Sequence, residues 1–150
     1  LDPCERFRLA PCFAGAAAAA SGPGFLALKL GAIDDVEGAR LPAGLPPVID
    51  GHVHLFPPRL FEALWRWFDQ WGWPIRYRLE ADAIVRFVLD RGAERLVALV
   101  YAHKPGIAEG LNRFMAELCN RHPQVTGLGT VMPGEPDAVA ILERAFAKLK

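Results

Sequence analysis

His52 and His54 stand one residue apart in the run Val48-Ile49-Asp50-Gly51-His52-Val53-His54-Leu55-Phe56. Extended backbone turns residues i and i+2 to the same side, roughly 6–7 Å apart along the chain. Two imidazoles so placed can converge on one divalent ion, each nitrogen about 2.0–2.1 Å from it. Imidazole suits zinc, iron, nickel or copper better than calcium or magnesium, and zinc is the first choice. A catalytic zinc takes about three protein ligands and keeps one position open for water. The pair is therefore a portion of a ligand set. Alternation puts Asp50 on the face of the two histidines and Ile49, Val53 and Leu55 on the other. A solvated polar face would also explain such a pair. Three polar side chains turned towards a core, however, need a common partner, and a metal ion supplies one. Asp50 is expected to support the ligands rather than to join them.

The elements that must position this pair follow from periodicity. Residues 48–56 read as a strand closed by Pro57-Pro58, which can also open a helix. Leu60, Leu64, Trp67, Phe68 and Trp71 recur at helical spacing, with Gly72 as the stop. Residues 80–91 form a second amphipathic helix, with Gly92 at its end. Residues 95–101 are a nearly continuous apolar run, as in a parallel strand buried on both faces. Ile107, Leu111, Phe114, Met115 and Leu118 mark a further helix, broken by Pro123. A third strand fits residues 125–131. Pro136 opens a last helix whose apolar face holds Ala138, Ile141, Leu142, Ala145, Phe146 and Leu149. Strands alternating with helices predict an α/β domain with a parallel sheet. No Gly-x-Gly-x-x-Gly follows a strand, so a dinucleotide site has no support.

Residues 1–44 differ from the rest. Ala16 to Ala20 form an alanine run, followed by Ser21-Gly22-Pro23-Gly24. Such a stretch has little to bury and many backbone states to lose. Arg6 and Arg8 ahead of it give a faint likeness to a secretory signal. A flexible extension is the preferred reading, with one short strand at residues 25–30. Leu1 in place of methionine, and a helical pattern still running at Lys150, read as a portion of a longer chain.

Bulk properties exclude several functions. Seventeen basic residues balance seventeen acidic ones, which gives no argument for nucleic acid or an anionic membrane as partner. No apolar run reaches the roughly 20 residues that span a bilayer. Cys4, Cys12 and Cys119 form neither a disulfide framework nor a metal pattern, which points to a reducing, cytoplasmic setting. A small molecule is the expected substrate.

The remaining histidines sort by strand end. His103 and Lys104 follow the second strand, on the side where such folds place active sites, and could touch substrate. His122 precedes the third strand and is excluded. Glu135 is assigned to the last helix start, with Asp137. Trp65, Trp67, Trp71 and Trp73 divide between core and surface, and the surface ones leave a homo-oligomer or an aromatic substrate wall open.

Val48-Ile49-Asp50-Gly51-His52-Val53-His54 resembles the first-strand Asp-x-His-x-His motif of the amidohydrolase superfamily, and within it the amidohydrolase-related branch of metal-dependent hydrolases and decarboxylases. Asn112-Arg113-Phe114 and Gly127-Leu128-Gly129-Thr130-Val131-Met132-Pro133 fit the same branch, and the likeness covers residues 45–150. It implies the N-terminal part of a (β/α)8 TIM-type barrel, with His52 and His54 ligating the metal at the C-terminal face. Such barrels usually need about 250 residues. Three of eight strands are present, so this portion is expected to be inactive alone. The implied activity is metal-dependent hydrolysis of an amide, ester or lactone-type bond. Decarboxylation of an aromatic or unsaturated acid on the same scaffold is the first alternative. TatD-like phosphoesterase chemistry and an inactive metal-binding fragment are the others.

Overall fold

Strand β1 (Ile49–His54) leads into helices α1 (Pro58–Trp71) and α2 (Ala81–Asp90). Strand β2 (Arg95–Leu99), helix α3 (Ala108–Arg121), strand β3 (Val125–Leu128) and helix α4 (Ala138–Lys148) complete the order. This is a computed structural model, and it describes residues 37–148. The strand expected at residues 25–30, the alanine run, Cys4, Cys12 and Leu149 lie outside the described residues. Of the expected extension, residues 37–44 are described; there the Leu41 N–H donates to the Arg91 carbonyl at 2.7 Å.

The strands form one parallel sheet in the order β1-β2-β3. Crossovers between neighbouring parallel strands are almost always right-handed, so a sequential order stacks the connecting helices on one side. Burial follows this rule. Leu96, Ala98 and Val100 of β2 and its extension are buried in one core with Val85, Leu111, Met115 and Leu118. Val97 and Leu99, on the opposite face of β2, are only half-buried. The expectation that this strand is buried on both faces is corrected: among the described residues only one face is covered.

Helix ends follow local chemistry. The Pro57 carbonyl accepts from the N–H groups of Leu60 and Phe61 and starts α1. Gly92 ends α2 at φ +102°, a backbone that L side chains rarely adopt. Helix α4 begins at Ala138 rather than at Pro136, after a turn in which the Ala138 N–H donates to the Glu135 carbonyl. In α1 the inward stripe is Phe61, Leu64, Trp65 and Phe68, whereas Trp67 and Trp71 face outward. The helix is apolar on two adjoining stripes, and periodicity alone does not say which one the core takes.

At the opposite end of the sheet from the histidine pair, Asp82 of α2 accepts from Arg121 at 3.0 and 3.2 Å and lies 2.6 Å from His122 Nε2. The Arg121 guanidinium, and after it His122, hold the Asp82 carboxyl below the usual carboxylate range. A lowered folded-state value means stabilisation that is full above the unfolded value, about 4, and lost as pH falls through the folded value. Arg121 and Asp82 are about half exposed, so their ion pair is worth no more than about 1 kcal/mol. Asp82→Asn is expected to lower the thermal midpoint slightly at pH 7. The gap to the parent chain should close as pH drops below about 4. A gap that persists in acid would show that the loss is not electrostatic.

Candidate functional site

Because the strands are parallel, their C-terminal ends share one edge, and His54 lies on it beside Leu99. The path to that edge is not a plain strand. Ile49 pairs with Arg95 and Asp50 with Leu96, but the next partners are Val53 with Ala98 and His54 with Leu99. Three steps along β1 therefore match two along β2, which is a β-bulge around Gly51 and His52. One extra residue inverts the facing of everything before it. Ile49, expected on the buried face with Val53 and Leu55, is 57% exposed, whereas those two are 8% and 0%. Asp50 falls in phase with Leu96 rather than with His54. The expectation that Asp50, His52 and His54 share one interior face is thus corrected at Asp50. Its Oδ1 instead accepts the His52 N–H at 3.1 Å and closes the bulge. Bulges commonly re-aim a side chain beside an active site, and this one sets His52 next to His54.

The two imidazoles converge. Their Nε2 atoms are 3.1 Å apart, and the rings meet edge to face with centroids 4.8 Å apart. Two nitrogens bound to one ion at about 2.0–2.1 Å and a tetrahedral angle lie about 3.3 Å apart. The spacing is close to that of two ligands on one ion. It also suits an N–H···N hydrogen bond between complementary tautomers. Both side chains are open to solvent. The His54 ring nevertheless lies parallel to Phe56 at 5.7 Å and edge-on to Tyr101 at 5.6 Å. Desolvation there, followed by the nearness of His52, holds the His54 imidazole below its ordinary range. The neutral ring is the form that can donate a lone pair. Among the described residues no group of three or more His, Cys, Asp or Glu side chains stands together as a complete ligand set.

The loops after β2 and β3 are fixed from inside. Asn112 of α3, 4% exposed, makes a two-way bond with the backbone of Thr130. Its Nδ2 donates to the Thr130 carbonyl at 2.9 Å, and its Oδ1 accepts the Thr130 N–H at 2.7 Å. The Thr130 hydroxyl accepts the Ala102 N–H at 3.0 Å. Ala102 lies between Tyr101 and His103, so this network anchors both at the C-terminal edge. His103 is exposed there, as expected, and Tyr101 is the neighbour that sequence reasoning passed over; its aromatic character next to His103 was the available signal. Glu135 departs from its assignment to the helix start. Its Oε1 accepts the Gly106 N–H at 2.6 Å, which ties the loop after β3 to the loop after β2. His122 sits at the other end with Asp82, away from the pair.

Compared with known proteins, the chain matches no family model, no curated protein and no solved structure. No helix among the described residues is long and apolar enough to cross a membrane.

Proposed function

We propose that residues 45–150 are the N-terminal portion of an amidohydrolase-type (β/α)8 barrel. His52 and His54 are two ligands of a divalent ion, zinc before others, in a hydrolase of amide, ester or lactone-type bonds. The observation that carries this reading is the pair of Nε2 atoms 3.1 Å apart at the C-terminal edge of a parallel sheet. The sequential order of three parallel strands is one that a barrel shares with the first half of a doubly wound sheet, so the barrel reading rests on the first-strand motif. When bound, the ion supplies a water of pKa lowered to about 7 and polarises the carbonyl under attack.

This chain's residues do the positioning. Asp50 holds the bulge that brings His52 round. Phe56 and Tyr101 flank the His54 ring, and desolvation and then the nearness of His52 lower its pKa. Zinc titration of the full chain tests the reading. One zinc per chain is expected, with affinity at least about tenfold weaker in His52→Ala and in His54→Ala. His122→Gln should bind as the parent does. No zinc uptake, or uptake indifferent to both histidines, would sink the reading. Carbon dioxide release without water-dependent cleavage would move the same pair to the decarboxylase alternative.

A further inference from the structure

Helix α1 borders a cleft along the side that carries Trp67. Leu60, Leu64, Trp67 and Phe68 form one wall, and Tyr101 and His103 form the other. The cleft measures about 390 Å3, and a cavity of about 150 Å3 already accepts benzene. Pockets for small molecules commonly hold about 300–1,000 Å3 and combine apolar walls with a few polar groups. Here His103 is the polar group at the rim.

We propose that this cleft seats a planar aromatic ring, as the ring-bearing part of the substrate handled at the histidine pair. The word substrate rests on the function proposed above; the cleft's affinity for a ring does not.

Three observations point to a ring. Tyr101 belongs to both places: it lines the cleft and meets the His54 ring edge-on at 5.6 Å. A ring in the cleft therefore lies one aromatic layer from the imidazoles. Three of the lining side chains are themselves aromatic, and flat partners gain from offset or edge-to-face contact with them. Finally, Trp67 is 53% exposed although the same helix buries Phe61. A large aromatic left in water beside a cleft gains most from an apolar occupant.

Indole, added to the full chain, serves as the probe. NMR shifts are expected at the Leu60 and Leu64 methyls and at the Trp67 ring N–H. Ala63→Trp fills the cleft from an exposed position, and Trp67→Leu removes one aromatic wall. Each should weaken indole binding at least about tenfold. His52→Ala should leave it within about twofold. No shifts, shifts elsewhere, or binding unmoved by both cleft variants would overturn the proposal. Concentration-dependent dimerisation that excludes indole would overturn it too, in favour of self-association. Zinc titration keeps the two readings apart. Indole binding without zinc binding removes the metal site and leaves the cleft; zinc binding without indole binding does the reverse.

Discussion

Asn112→Leu is expected to lower the unfolding free energy by about 2–5 kcal/mol, with the denaturation midpoint as the measurement. Leucine keeps asparagine's branching at Cγ but is larger, so the change removes both bonds and crowds a buried site. Asn112 satisfies both backbone groups of Thr130, and both residues are buried, at 4% and 8% exposure. Each buried backbone group left unpaired costs about 1–3 kcal/mol. Asn112→Asp keeps the acceptor but sets a buried carboxylate oxygen against the Thr130 carbonyl, so its loss should be at least as large at pH 7 and should shrink in acid, where the protonated acid can donate again. Thr130→Val removes the hydroxyl that takes the Ala102 N–H, and should cost about 1–3 kcal/mol. The loss should also register at the candidate site. Hydrogen exchange at Ala102 is expected to quicken in both variants, because the bond that pins Tyr101 and His103 to the end of β3 is cut or loosened. A midpoint unchanged in Asn112→Leu would mean that water or another group can replace the asparagine.

The Asn112 network also shows where the sequence was legible. Element types and order could be read from it because apolar spacing changes between two and nearly four residues at each boundary, with Pro57, Gly72, Gly92 and Pro123 as punctuation. Facing was legible only where the spacing stayed regular. The bulge near Gly51 is a pairing property of two strands and leaves no mark in the alternation of one, so Asp50 and Ile49 were placed on the wrong sides. In α1 two apolar stripes satisfied the same period, and the choice between them came from the sheet beneath. His52 and His54 were legible as a pair because a single residue separates them, whereas the bulge that contains His52 was not legible. Asn112 was noticed as part of a motif, but its partner Thr130 is eighteen residues away. Glu135 and Gly106, twenty-nine residues apart, were likewise beyond local reasoning. Side-chain bonds between loops depend on where separate strands end, which is set by the fold.

Gly127→Ala is the other substitution expected to be costly, about 1–3 kcal/mol, because α3 lies too close to β3 for even a methyl group. A Cβ at Gly127 would stand 2.6 Å from Met115 Cγ and 2.7 Å from Cys119 Sγ. Gly127 pairs with Ala98, which is fully buried, so two small residues form the floor on which α3 rests. Backbone conformation is not the issue there, since φ at Gly127 is not positive. Only the close approach requires glycine. Met115 is itself fully buried and has little room to swing aside, so the helix must move outward. Cys119→Ala removes the Sγ and leaves Met115 Cγ and Sδ as the obstruction. In that background Gly127→Ala should cost less, by about 0.5 kcal/mol or more, and the double-mutant cycle measures the difference. A second readout uses the thiol. Burial pushes the Cys119 thiol up and leaves little reactive thiolate. Lifting α3 should expose it and speed its alkylation, followed on the Cys119 peptide alone. The same displacement would pull Asn112, on the same helix, away from Thr130. Gly127→Ala should therefore also quicken exchange at Ala102. A destabilised variant with unchanged exchange there would show that the α3 contact at Gly127 and the anchor of the candidate site act independently.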